Sequence, residues 1–196
     1  MRESEVLVFQ HMDAGHPGIF RDLLRRDGIA RRTVRLDLGE PIPDLAGFGA
    51  LWVMGGPQDV WEEDEHPWLT LEKAAIREAV LGCRMPFLGI CLGHQLLADA
   101  LGGSVGKAAA PEIGVYEVAR TDGAAGHPLL SGLPVRGRFL QWHRAEVQRP
   151  PEGTRVLAGS ARCAIQVLAV GEHAFGLQGH VEVDAATLEE WLATPA

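Results

Sequence analysis

The sequence predicts an α/β fold, a three-layer sandwich with a central mostly parallel sheet and a smaller antiparallel section. Three observations carry this expectation. The first half alternates short apolar segments with longer amphipathic ones, the pattern of strands crossing over through helices. In the second half, Val- and Leu-rich segments are separated by Gly and Pro at short intervals, which suits antiparallel strands. The 196 residues, 46% hydrophobic and 22% charged, can bury a sizeable core without disulfides or metals. One domain spanning 1–196 is therefore expected, with no repeat, low-complexity tract or linker to divide it.

Taken in order, Val6–Phe9 reads as a strand, Pro17–Asp27 as a helix, and Thr33–Leu38 and Leu51–Met54 as strands. His66–Leu81 follows as a helix: Leu71, Ala75, Ile76 and Val80 form an apolar stripe, with Glu72, Lys73, Arg77 and Glu78 on the other side. Pro86–Ile90 is a strand and Gly93–Leu101 a helix stopped by Gly102-Gly103. Short antiparallel strands are predicted at Val115–Ala119, Arg138–Leu140, Arg155–Ala158, Ala164–Val170 and Ala174–Leu177. Asp184 then caps a terminal helix, Ala185–Leu192.

The formal net charge is −8, from 18 basic and 26 acidic residues, and the basic residues are dispersed. This disfavours nucleic acid as a partner. No apolar run reaches the roughly 18 residues of a membrane span, and the amino terminus enters a strand-like segment directly rather than a signal peptide. A cytoplasmic protein is expected. Three cysteines, with no C-x-x-C pair and no His at ligand spacing, predict neither a disulfide framework nor a metal site. Cys83 and Cys163 read as small apolar residues. The acidic run Glu62–Glu65 reads as a solvated segment before a helix. His11, His16, His66, His127 and His173 stand singly in loop-like contexts and read as surface or turn residues.

Cys91 differs from the other two cysteines. In Pro86-Phe-Leu-Gly-Ile-Cys91-Leu-Gly-His-Gln95 an apolar strand runs into a cysteine and then into a helix, with Gly89 and Gly93 leaving room for a tight strand-to-helix turn. The helix that follows turns its N-terminal N–H groups and positive dipole end toward the sulfur, which favours thiolate. Further along, His180 and Glu182 are two apart in an extended segment and so point to one side. Glu182 can then hold one imidazole nitrogen while the other faces a nucleophile. His94, three residues after Cys91, lies along the helix and is assigned a structural place.

Three segments, Gly89-Ile-Cys-Leu-Gly-His-Gln95, Gly55-Gly-Pro57 and Gln178-x-His180-x-Glu182, resemble in order and separation the signature regions of class I glutamine amidotransferases. Pro111-Glu-Ile-Gly114 and Leu140-Gln-Trp-His143 extend the likeness to the amidotransferase domain of GMP synthase. The resemblance implies a glutaminase-type hydrolase releasing ammonia from the glutamine side-chain amide through a Cys thioester. Cys91 would be the nucleophile, His180 the proton shuttle and Glu182 its orienter. Backbone N–H groups of Gly56 and Leu92 would form the oxyanion hole, and Gln95 would contact the substrate's amino-acid group. It implies no cofactor and no metal. Relatives pass ammonia to a synthetase, and because this chain lacks a P-loop an acceptor would be a separate protein.

The alternatives are a γ-glutamyl peptidase with the same triad, its leaving-group subsite shaped by loops 57–66 and 106–114, and a non-catalytic binding or regulatory domain of the same fold. The family's usual aromatic before the His is Gly179 here, which predicts an under-packed base.

Overall fold

The computed structural model describes residues 5–193. Among them, nine strands form one sheet: β1 (Val6–Gln10), β2 (Arg31–Arg35), β3 (Ala50–Val53), β4 (Phe87–Ile90), β5 (Ser104–Arg120), β6 (Arg136–Arg149), β7 (Arg155–Ser160), β8 (Val167–Val170) and β9 (Ala174–Leu177). Their order is β2-β1-β3-β4-β9-β8-β7-β5-β6. The pairs from β2 through β4 to β9 are parallel, and those from β9 outward to β6 are antiparallel. The helices are α1 (Phe20–Arg26), α2 (Trp68–Arg77), α3 (Leu92–Ala100) and α4 (Ala185–Ala193).

Strand periodicity builds two apolar faces. From β1, Leu7 and Phe9 join the core made with Leu69 and Ile76 of α2 and Leu96 and Leu97 of α3. Val6 and Val8 join the opposite core with Leu24 of α1. Helices thus cover both sides of the parallel section, and the sandwich is the one the alternating pattern predicts. Asp184 caps α4 as expected, its Oδ1 accepting from Thr187 N at 2.8 Å.

Several local expectations are corrected. The chain from 17 to 19 is turn, and α1 starts at Phe20; the chain after α2 widens into a looser turn at Glu78–Gly82. On α2, Leu71 is 65% exposed whereas Glu72 is fully buried. The stripe is rotated because Glu72 finds a partner inside: His11 Nε2 lies 2.9 Å from its Oε1. In the antiparallel half, two short strands prove to be long, β5 and β6. The segment 106–114, expected as a loop, lies within β5, whose ladder to β6 shifts register between Ser104 and Val105 and again between Lys107 and Glu112. Gly106, Pro111 and Gly114 mask the strand pattern, but an irregularity in a twisted hairpin accommodates them.

Candidate active site

Cys91, His180 and the Gly55-Gly56 segment lie at the carboxyl ends of parallel strands β4, β9 and β3, where open α/β sheets form their crevices. Cys91 follows β4 directly and begins α3 with φ 51° and ψ −103°, outside the regions that side-chain-bearing residues favour. The neighbouring strand holds this turn: Cys91 N donates to Leu177 O at 2.8 Å, and Gln95 N donates to Cys91 O at 3.1 Å. A Cβ at Gly89 would stand 2.4 Å from Gly93 O, and one at Gly93 would stand 2.1 Å from Val53 O. Backbone of β4, α3 and β3 therefore touches where those two glycines lie. Cys91 as a residue is 7% exposed, with Sγ 3.9 Å from Trp142 O.

His180 arrives from the end of β9, which the topology places beside β4. His180 N donates to Leu140 O and Gln178 N to Gln166 O, at 2.8 and 2.9 Å, so the segment is tied on both sides. His180 Nδ1 donates to Glu182 Oε1 at 2.8 Å, which leaves Nε2 without that partner on a ring whose Cε1 flanks Gly55 together with Cys91 Cβ. Burial disfavours charge on His180, but hydrogen bonds with Cys91 and Glu182 and the attraction of both outweigh it, and its pKa is pushed up to about 10. Glu182 is fixed from outside, since Ile19 N donates to its carbonyl at 2.8 Å.

Gly179 does not leave the base loose. The indole of Trp191 on α4 packs against the His180 ring, with centroids 4.7 Å apart. Trp191 in turn donates from Nε1 to Ala14 O at 2.9 Å and meets Trp142 at 5.9 Å. The aromatic support comes from a distant helix, which no local pattern could reveal. Gly179 and Val181 face the other way, into an apolar cavity of about 380 Å³ that also involves Gln141 and Phe139.

The Gly55-Gly56 segment after β3 flanks the same point. A Cβ at Gly55 would lie 3.4 Å from His180 Cε1 and 3.6 Å from Cys91 Cβ, and one at Gly56 would lie 2.9 Å from Leu92 Cδ2. The structure thus brings Cys91, His180, Glu182, Gly56 and Leu92 together. Gln95 is buried beneath them, its Nε2 donating to Ala145 O at 3.0 Å and Gln178 Oε1 at 3.1 Å.

The competing groups differ in setting. His94 is fully buried, its ring against Gly176, and burial pulls its pKa down to about 4. Glu112, His143 and Cys163 have ligand atoms within 4.8 Å of one another and are the group among the described residues placed to hold a metal ion. They are also a closed hydrogen-bond network. His143 bonds Glu112 Oε2 at 3.0 Å and Ala145 O at 2.9 Å, while Gln166 Nε2 and Ser160 Oγ donate to Glu112 at 2.7 and 2.9 Å. Burial, reinforced by Glu146 and Glu112, pushes the Cys163 thiol up to about 12, so it is a poor nucleophile. Sequence spacing missed this cluster because its members lie far apart in the chain, Glu112 on β5, His143 on β6 and Cys163 in the turn between β7 and β8.

Fold and site together define an α/β protein with a cysteine at a strand-to-helix elbow. A family model described as glutamine amidotransferase class-I matches residues 22–193, and the chain belongs to that family. It is 37% identical over 145 residues to a glutamine-hydrolyzing GMP synthase subunit of Saccharolobus solfataricus, covering 74% of this chain and 72% of that one. To the glutamine-hydrolyzing GMP synthase of Aeropyrum pernix it is 38% identical over 161 residues, 80% of this chain but only 29% of that protein's length. Gamma-glutamyl peptidase 2 of Arabidopsis thaliana is 28% identical over 148 residues, 75% of this chain and 58% of the peptidase. The crystal structure of a glutamine amidotransferase from Thermotoga maritima superposes with a TM-score of 0.91 at 30% identity, covering 98% of this chain and 82% of that one. Among the described residues no helix is long and apolar enough to cross a membrane.

Proposed function

We propose that the chain hydrolyses the side-chain amide of glutamine, with Cys91 as nucleophile, His180 as proton carrier and Glu182 as its orienter. The observation that supports this best is that Cys91 and the His180 ring flank one point at Gly55 while His180 Nδ1 donates to Glu182 Oε1 at 2.8 Å. The Cys91 sulfur attacks the amide carbon, and Gly56 and Leu92 N–H groups receive the developing oxyanion. As the C–N bond breaks, His180 gives its proton to the departing ammonia. Water then attacks the γ-glutamyl thioester while His180 takes its proton, the C–S bond breaks, and glutamate leaves.

Gln95 holds the pocket floor by tying α3 to Ala145 and Gln178. Both of these bonds use the amide nitrogen, so a contact with the substrate's amino group would fall to Gln95 Oε1. No metal or organic cofactor takes part in this scheme. The likeness to a GMP synthase subunit supports a separate synthetase as ammonia acceptor, and we place the protein in the cytoplasm as one domain.

The likeness to a γ-glutamyl peptidase favours one second reading, in which the same thioester forms but an amine or peptide leaves. Side-by-side turnover of glutamine and γ-glutamyl dipeptides separates the two readings. In either, Cys91→Ala and His180→Asn abolish turnover in a folded protein. Turnover retained by Cys91→Ala would remove both.

A further inference from the structure

His11 follows β1 and is 1% exposed. Its Nδ1 lies 3.2 Å from Gly55 O and its Nε2 2.9 Å from Glu72 Oε1. A carbonyl oxygen only accepts, so Nδ1 carries a proton and donates it to Gly55. That carbonyl belongs to the same peptide unit as the Gly56 N–H. In a planar trans peptide the two point in opposite directions, so whatever grips Gly55 O sets the aim of Gly56 N–H.

The peptide needs such a grip. Neither Gly55 nor Gly56 has a Cβ to resist rotation of the unit between them, and the inverted peptide would turn an oxygen toward the developing oxyanion. Contacts confine the ring that provides the grip. His11 stacks on Trp68 at 5.3 Å with planes 16° apart, and a Cβ at Gly56 would come within 2.8 Å of His11 Cβ. Charge is present as well. Glu72 from α2 is fully buried, and Asp37, itself paired with Arg35 at 2.6 Å, faces His11 from the turn after β2. Burial opposes protonation of His11, but Glu72 and the Gly55 carbonyl outweigh it and raise its pKa. A cationic donor on the carbonyl polarises the whole peptide and strengthens its N–H as a donor.

We propose that His11, backed by Glu72, is the positioning residue of the oxyanion hole: it fixes and polarises the Gly55–Gly56 peptide so that its N–H receives the oxyanion. This rests on the assignment of Gly56 as an oxyanion donor for a γ-glutamyl substrate.

The test pairs two reactions at Cys91 in His11→Leu and Glu72→Gln. Alkylation by iodoacetamide needs the thiolate but forms no oxyanion, whereas turnover of a γ-glutamyl compound needs both. His11→Leu lowers kcat about 30-fold with KM within about threefold, and leaves the alkylation rate within about twofold. Glu72→Gln keeps a hydrogen bond but removes the charge, and lowers kcat by a smaller factor. The amide nitrogen resonance of Gly56, followed in the same variants by NMR, shifts as its carbonyl partner is lost. Unchanged kcat in a folded His11→Leu, or alkylation falling in step with kcat, overturns the proposal. A wild type that alkylates but turns over no γ-glutamyl compound refutes the function instead. The Gly56 resonance then decides the peptide claim by itself, and a resonance unmoved in both variants overturns it.

Discussion

Trp191 and His180 meet with ring centroids 4.7 Å apart and planes at 82°, an edge-to-face contact between α4 and the imidazole. Such a pair is worth about 0.5–1.5 kcal/mol beyond area burial. It restricts the imidazole to the orientation in which Nδ1 meets Glu182. Trp191→Ala is expected to lower kcat about 3- to 30-fold, because the productive orientation becomes one of several. Trp191→Phe keeps the contact and most of the rate. Steady-state kinetics of both variants, with thermal melts as fold controls, test this, and equal rates in Trp191→Ala and wild type would leave the contact without a role in catalysis.

Adding an aromatic at position 179 does not improve this site. A Cβ on Gly179 would stand 2.5 Å from Gln141 Nε2 and 3.1 Å from Leu140 O, the oxygen that accepts the His180 N–H. Gln141 is fully buried but lines the cavity on that side, so the end of its side chain has to turn aside. The ring itself would find space in the cavity on that side, but only after Gln141 had turned aside and the backbone at Leu140 had given by a few tenths of an ångström. Gly179→Phe is expected to lose about 1–3 kcal/mol of stability and to turn over no faster than wild type. Denaturant unfolding beside a turnover assay checks both halves.

The parts of the site that sequence reveals are those joined by local geometry. Gly89, Cys91 and Gly93 lie within one turn of chain, and His180 and Glu182 lie on one side of one extended segment, so their relationship follows from backbone periods alone. His11, Glu72 and Trp191 were hidden for the opposite reason. Each joins the site through a partner far along the chain, and each resembles an ordinary residue in its own segment: a loop histidine, a solvated helix glutamate, an aromatic in a terminal helix. The parallel core was legible from Val6–Phe9, Leu51–Met54 and Pro86–Ile90 because both-face burial makes those strands continuously apolar. The β5–β6 pair was not, since most of β5 and the first half of β6 are not buried, and the face that β6 does bury, Gln141, His143, Ala145 and Val147, is half polar.

Cys91 carries backbone strain that its replacements should expose. At φ 51° and ψ −103° an Ala keeps the strain and a Gly relieves it, by about 1–3 kcal/mol. The unfolded chain of the Gly variant gains entropy, which takes back roughly 0.5–1 kcal/mol. Cys91→Gly is therefore expected to be as stable as Cys91→Ala or more so by about 1 kcal/mol, although both lack the nucleophile. This reverses the usual order of Gly and Ala, and a Gly variant clearly less stable than the Ala one in urea titrations would show that the turn is not strained.

His94 offers a stability test separate from the chemistry. Its pKa is pulled down to about 4 by complete burial, while an unfolded His titrates near about 6.5. Between those values the unfolded chain binds a proton that the folded one does not, so stability falls as pH drops through this window. Above about 6.5 both states are neutral and the penalty vanishes. A non-titrating side chain, His94→Leu, removes this part of the acid sensitivity whatever it does to packing, because a packing change is the same at both pH values. The difference in unfolding free energy between pH 7 and pH 4.5 is expected to be smaller in His94→Leu than in wild type by about 1–3 kcal/mol, given a limit of about 1.4 kcal/mol per pH unit for one group. Turnover at pH 7.5 is expected to persist within about tenfold, since a group already neutral at that pH and packed under β9 gives up no proton to the reaction. Parallel acid slopes in the two proteins would mean that His94 is protonated in the folded state, and loss of turnover on the scale of Cys91→Ala would return it to the list of candidate bases.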